Sequence, residues 1–145
     1  MFLSDEVRAE ASLTAAAGWL AAPATGTAVT RASHAAWDVV TAAAGPAGTL
    51  TAVLCRGPVQ RGAVVRMTLR WEATDSGGRL FPALDADISV IPDGEHAVLI
   101  GLTGVYRAAP GTPARSAADL AAAAGIRAFL TRIAAVVSEH AAPVP

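Results

Sequence analysis

Residues 63–72, AVVRMTLRWE, decide the fold of this 145-residue chain. Apolar and polar side chains alternate along the stretch: Val65, Met67, Leu69 and Trp71 against Arg66, Thr68, Arg70 and Glu72. Strict alternation is typical of a β-strand with one face buried and the other in solvent. The stretch therefore predicts a sheet with a single apolar face.

The neighbouring segments extend this sheet to five predicted strands. Residues 49–55 form one strand, ended by Arg56-Gly57-Pro58, and residues 7–13 form the first. Residues 84–90 alternate like residues 63–72, and the sequence IPDGE at 91–95 suits a hairpin with a three-residue loop. That hairpin pairs Ile88 with Val98. Because side chains alternate along each strand, it also predicts one shared apolar face for Leu84, Ile88, Val98, Ile100, Leu102 and Tyr106.

Three helices complete the predicted layout. Thr14 is expected to cap a short helix that ends before Pro23, and residues 28–44 form a second helix, stopped by Gly45-Pro46. Residues 117–140 form a long amphipathic helix, the only one expected to be long enough to cover the sheet. The result is an α+β domain over residues 1–142, in which a curved antiparallel sheet wraps a long C-terminal helix, followed by a tail at 143–145.

Composition excludes several classes of protein. With 53% hydrophobic and 16% charged residues the chain is not disordered, and a net charge of −1 offers no basic surface for nucleic acid. All eleven cations are arginine, so a Walker A lysine and a Schiff-base lysine are both excluded. We also expect no membrane span and no signal peptide, hence a cytoplasmic protein.

Reactive side chains are few. Cys55 is the single cysteine and is expected to be a small buried hydrophobic residue. The histidines, His34, His96 and His140, do not have metal-ligand spacing. No catalytic motif, metal or cofactor is therefore predicted.

Several stretches carry a family resemblance: 61–62 (RG), 69–74 (LRWEAT), 78–87 (GRLFPALDAD), 102–107 (LTGVYR) and 126–130 (IRAFL), with the opening strand and Trp19-Leu20. They resemble the START-like, or SRPBCC, superfamily with its helix-grip fold, and within it a group of actinobacterial proteins. The resemblance implies a cavity between sheet and C-terminal helix for lipids, sterols, polyketides or other apolar ligands. Some relatives are polyketide cyclases or aromatases and others only bind or carry, so the resemblance does not decide whether the chain is an enzyme.

The candidate ligand-binding residues are those predicted to face this interior: Met67, Leu69, Trp71, Leu84, Ile88, Ile100, Leu102, Tyr106, Phe129 and Ile133. The same pattern also fits a filled core. An inward Tyr106 needs a hydrogen-bond partner, which a ligand, a water or a backbone carbonyl would supply. Trp71 would stack on a flat ligand or donate its indole N–H.

Three functions are compatible with these residues. The first is binding of an apolar small molecule, a lipid, polyketide or similar, between sheet and helix. The second is a polyketide cyclase or dehydratase using Tyr106 and His96, a histidine expected near the cavity mouth. The third is a non-catalytic module with a filled core that forms a homodimer.

The polar face of the sheet is expected to carry an ion-pair ladder, formed by Arg66, Arg70, Asp85 and Asp87.

Overall fold

The alternation at residues 63–72 produces a central strand, as predicted. Val65, Met67, Leu69 and Trp71 are each at most 5% exposed, whereas the intervening side chains face solvent. The computed structural model describes residues 1–44, 48–110 and 115–141. Within them the elements are β1 (Phe2–Ala9), α1 (Leu13–Ala21), α2 (Thr25–Ala44), β2 (Thr49–Arg61), β3 (Val64–Thr74), β4 (Leu80–Pro92), β5 (Val98–Tyr106) and α3 (Arg115–Ala141).

The five strands form one antiparallel sheet in the order β1-β5-β4-β3-β2, with the helices packed on its apolar face. This is the α+β, helix-grip arrangement predicted from the sequence: two helices follow the first strand, and a long C-terminal helix packs against the sheet. The predicted stop at Gly45-Pro46 and the predicted tail at 143–145 lie outside the described residues.

The predicted pairing of β4 with β5 is wrong by four residues. Ile88 lies opposite Leu102 rather than Val98, and Leu84 lies opposite Tyr106. The bend is displaced along the chain: Pro92 lies opposite Val98, and the Asp93 N–H donates to the Ala97 carbonyl at 2.8 Å, so the turn is at residues 94–96 rather than 92–94. A displacement of the turn by two residues changes the pairing by four. A shift by an even number of residues does not change which face a side chain occupies, so the predicted apolar face is confirmed.

Two strand boundaries also differ from the prediction. β1 begins at Phe2 rather than residue 7, because its backbone pairs with β5 along its whole length. β2 does not end at Arg56-Gly57-Pro58. It continues to Arg61, since a register shift between Arg56 and Val59 accommodates the cis Gly57–Pro58 peptide bond.

The first helix is capped by Ser12 and not by Thr14. The Ser12 Oγ accepts a hydrogen bond from the backbone N–H of Ala15 at 3.1 Å. Both residues are good caps by type. Ser12 takes the role because its extended backbone places the hydroxyl over the free N–H groups of the first turn.

The expectation that only the last helix covers the sheet is wrong. α3 packs over β1 and β5, and the 20-residue α2 lies beside α3 and reaches β2. The two helices are in close contact at Gly125, where a Cβ atom would lie 2.7 Å from the Val40 Cγ2 and 3.0 Å from the Ala36 carbonyl oxygen. Glycine is required there to let the two backbones approach.

By length and composition α3 could also cross a membrane, with a mean hydropathy of 1.7 over the most apolar part of residues 117–141. Half of that stretch is buried inside the domain, against the sheet and α2. Burial of this kind is what a core helix requires, and α3 is therefore a core helix of the domain.

Candidate functional site

The ten predicted ligand-binding residues come together in the interior between the sheet and α3, and none is more than 5% exposed. The strand register divides them along the sheet. Leu84 and Tyr106 form a pair at the end of β5, whereas Ile88 and Leu102 lie towards the β4–β5 turn. The interior therefore has a Tyr106 end and a turn end.

The interior is tightly packed around Trp71, which lies opposite Leu84 and therefore in the same row across the sheet as Tyr106. Its ring makes edge-to-face contacts with Trp37, at 6.2 Å between centroids, and with Phe129, at 6.4 Å. Its indole N–H donates to the Ser33 Oγ on α2 at 2.9 Å. The predicted polar contact from Trp71 to a ligand is thus made by the protein itself. Ser33, one of the few buried polar residues, was missed because its partner lies 38 positions away.

Tyr106, two strands away in this row, differs from Trp71 because its hydroxyl has no hydrogen-bond partner among the described residues. Tyr106 is only 3% exposed, yet its hydroxyl makes no hydrogen bond to any described residue. No fully enclosed side-chain N or O atom in the described ranges lacks a partner, so this hydroxyl lies where the interior meets solvent. Burial raises the pKa of Tyr106, and the negative charge of Asp119 raises it further.

Asp119 is a half-buried residue of α3 that the sequence reasoning missed. It precedes Ile126 by seven residues and Ile133 by fourteen, so all three share the face of α3 that looks toward the sheet. This spacing could have identified Asp119 from the sequence, because a carboxylate at a position in line with Ile126 and Ile133 interrupts the apolar face of the helix.

His96 cannot act together with Tyr106. It is an exposed residue in the β4–β5 turn, while Tyr106 ends the nine-residue strand that follows. At about 3.4 Å per residue the two ends of β5 are about 27 Å apart. The predicted joint role of His96 and Tyr106 in one reaction is therefore wrong. No three His, Cys, Asp or Glu side chains of the described residues form a metal site.

The outer face of the sheet carries the predicted charges, but the ladder is only partly formed. Arg70 pairs with Asp85 at 3.6 Å, and Asp85 also accepts from Arg107 at 3.0 Å. Arg66 and Asp87 make no ion pair within the described residues. A groove of about 760 Å³ runs across this face, lined by Arg56, Thr68, Arg70, Asp85, Asp87 and Phe2 among others. An apolar molecule would have to dehydrate these charges, so the groove does not suit one.

Cys55 lies half-buried on the inner face of β2 at the margin of the core, opposite Leu69. Burial raises the pKa of its thiol. A thiol that stays protonated is a poor nucleophile. Its position and chemistry are those of a small packing residue.

Solved structures with a similar fold have little sequence in common with this chain. A conserved protein from Geobacillus kaustophilus is 9% identical, over 96% of both chains, with a TM-score of 0.53. The di-domain ARO/CYC BexL from the BE-7585A biosynthetic pathway is 12% identical, with a TM-score of 0.47. The alignment covers all of this chain and 51% of that one, so this chain spans about half of BexL. A START superfamily protein from Mycobacterium smegmatis is 10% identical over 93% of this chain and 98% of its own, with a TM-score of 0.38.

No protein-family model matches the sequence, and no curated protein matches it. At such identities a structural likeness is informative about fold and not about activity. The likeness to the Geobacillus protein extends over nearly the whole chain. The five-stranded antiparallel sheet and the long C-terminal helix packed on it give this chain the helix-grip fold.

Proposed function

We propose that the protein binds an apolar small molecule, a lipid, a polyketide or a similar compound, between the sheet and α3 at the Tyr106 end. The observation that carries this proposal is the unpartnered hydroxyl of Tyr106. In the free protein this hydroxyl is within reach of solvent, and a ligand that displaces water from it without replacing the hydrogen bond loses affinity. A ligand with an oxygen at this point would supply the missing partner and leave its apolar body in the interior, as in most small-molecule sites.

The sizes of the side chains on α3 support the same location. Further along α3 the buried residues are bulky, among them Ile126, Phe129 and Ile133. In the first turns, near Asp119, the buried residues are Ala118, Ala121 and Ala122. Alanine fills less of the space between a helix and a sheet than isoleucine or phenylalanine, so a ligand displaces less protein at this end.

The ten candidate residues then have two roles in this proposal. Tyr106 and Leu84 contact the ligand, because they are paired at the open end of the interior. Trp71 and Phe129 close the interior beside this pair, because Trp71 lies opposite Leu84 and contacts Phe129. Any reaction on the bound molecule would rely on Tyr106 without His96, and binding without chemistry is the function we favour. The cytoplasmic location and the homodimer stay predictions from the sequence.

The test is a titration with N-phenyl-1-naphthylamine, a neutral apolar dye whose fluorescence rises in apolar surroundings. We expect saturable binding to the wild-type protein. Ala122→Leu places a larger side chain in the proposed site and weakens binding about tenfold, the loss expected when a few well-packed contacts are removed. Ala124→Leu is the matched control, because Ala124 is exposed on the same helix.

Far-UV circular dichroism identifies a variant that fails to fold. Should Ala122→Leu be unfolded, Ala118→Leu replaces it, since Ala118 is also buried in the first turns of α3. Absence of saturable binding to the wild type, or equal weakening by Ala124→Leu, would overturn the proposal.

A further inference from the structure

We propose that Asp119 makes this site select apolar molecules that carry a cationic or hydrogen-bond-donating end group, and reject molecules that carry a carboxylate. The inference rests on the proposed function, because it concerns the same site. It concerns which end groups are accepted and not whether an apolar molecule enters.

The course of α3 along β1 places Asp119 beside Tyr106. The Glu10 N–H donates to the Ser138 Oγ at 3.0 Å, and Arg127 donates to the Glu6 carbonyl at 3.0 Å. The helix and the strand therefore run in the same direction. Asp119 lies eight residues before Arg127, about 12 Å along the helix axis, or about four residues of strand.

Four residues before Glu6 is Phe2, at the start of β1. The adjacent Met1 carbonyl accepts a hydrogen bond from the Tyr106 backbone N–H at 2.8 Å. Asp119 is thus level with Tyr106, and its seven-residue spacing from Ile126 turns it toward the sheet. The phenol and the carboxylate lie together at the open end of the interior.

Among the described residues, Asp119 is a half-buried carboxylate that has no cationic partner. Two aspartates of β1 and β4 are paired, Asp5 with Arg127 at 3.4 Å and Asp85 with Arg107 at 3.0 Å, whereas Asp87 on the outer face of the sheet is not paired within the described part of the chain. Asp119 makes no ion pair or side-chain hydrogen bond within the described residues. A half-buried carboxylate is an acceptor only, so it stabilises a ligand that donates and repels one that is negatively charged.

The Tyr106 hydroxyl completes the recognition. It can donate as well as accept, so it tolerates an alcohol or a carbonyl at the same position. The charge of Asp119 and burial both raise the pKa of Tyr106, so the phenol stays protonated at neutral pH. The ligand end group then faces two acceptors, the Asp119 carboxylate and the Tyr106 oxygen, and one donor, the Tyr106 O–H. This combination suits an amine or an alcohol.

The experiment uses four ligands with one ring system, each competing with N-phenyl-1-naphthylamine. They are 1-methylnaphthalene, 1-naphthalenemethanol, 1-naphthylmethylamine and 1-naphthoic acid. We expect the amine and the alcohol to bind the wild type at least tenfold more tightly than the acid, because hydrogen bonds to a charged group are among the stronger ones. Asp119→Asn should bring the affinities of the amine and the acid within about threefold of each other and leave that of 1-methylnaphthalene unchanged.

Glu139→Gln is the matched control, since it removes one negative charge from the exposed distal end of the same helix. It should leave the order of affinities unchanged. The position of Asp119 has an independent readout, because Tyr106 is the single tyrosine of the chain. Absorbance at 295 nm should show Tyr106 ionising at a lower pH in Asp119→Asn than in the wild type, and at the same pH in Glu139→Gln.

The outcomes separate the two proposals. If 1-methylnaphthalene and the dye bind but the wild type does not distinguish amine from acid, the selectivity is refuted and the binding function stands. It is equally refuted if Asp119→Asn keeps the wild-type order. If the dye does not bind to the wild type, the binding function fails and the selectivity fails with it.

Discussion

The hydrogen bond between Trp71 and Ser33 should be a measurable part of the stability of the domain. Ser33 is fully buried in α2, and Trp71 is 1% exposed between Trp37 and Phe129. Ser33→Ala removes the acceptor and leaves the indole N–H buried without a partner. We expect the free energy of unfolding to fall by about 1–3 kcal/mol, the desolvation penalty of an unsatisfied group.

A double-mutant cycle isolates the contribution of this pair. Trp71→Phe loses the hydrogen bond and part of the packed volume, so it should cost about 2–4 kcal/mol. The double variant lacks both the Ser33 hydroxyl and the Trp71 indole N–H, so no buried polar group is left without its partner. The two effects should therefore fall short of additivity by about 1 kcal/mol.

Urea unfolding followed by far-UV circular dichroism is the assay, because tryptophan fluorescence changes with the substitution itself. Leu120→Ala is the control. Leu120 is 74% exposed, and its removal should change the free energy of unfolding by no more than about 0.5 kcal/mol. A loss below about 0.3 kcal/mol for Ser33→Ala, or additivity within that margin, would refute this account of the core.

Three further predictions concern the helices and Tyr106. Gly125→Ala should lower the free energy of unfolding by about 1–3 kcal/mol, because the added Cβ meets α2, whereas Gly18→Ala, with open space around it, should be neutral or stabilising by up to about 1 kcal/mol in urea titrations. Ser12→Ala should lower the thermal stability by about 1 kcal/mol as a lost N-cap, and Thr14→Ala should leave it within about 0.5 kcal/mol. The raised pKa of Tyr106 means that the unfolded chain loses its phenolic proton first. The contribution of Tyr106 to the free energy of unfolding is therefore fully present below about pH 10. Above that pH the free energy of unfolding should decrease, and more in the wild type than in Tyr106→Phe.

The strand faces were predictable because a half-buried strand fixes side-chain orientation by alternation alone. An error of four residues in the β4–β5 pairing left every predicted inward residue inward. The register was not predictable to the same degree, since it depends on whether the bend is at residues 92–94 or at residues 94–96. The IPDGE sequence is compatible with both positions of the turn.

The role of α2 and the partner of Trp71 were not predictable from local patterns. The close contact between α2 and α3 depends on Gly125. The sequence alone does not show that Gly125 faces Val40, so it does not show why a glycine is needed there. The bond from Trp71 to Ser33 joins residues that are distant in sequence. Asp119 was within reach of the sequence, because it interrupts a seven-residue series of core positions.

A crystal structure of the complex with 1-naphthalenemethanol tests the central claim most directly. The account predicts that the naphthalene ring lies between the sheet and the first turns of α3, near Ala122, with its hydroxyl group within about 3.2 Å of the Tyr106 hydroxyl or the Asp119 carboxylate. A ligand bound in the outer groove beside Arg70 and Asp85, with the Tyr106 end closed by protein, would contradict it.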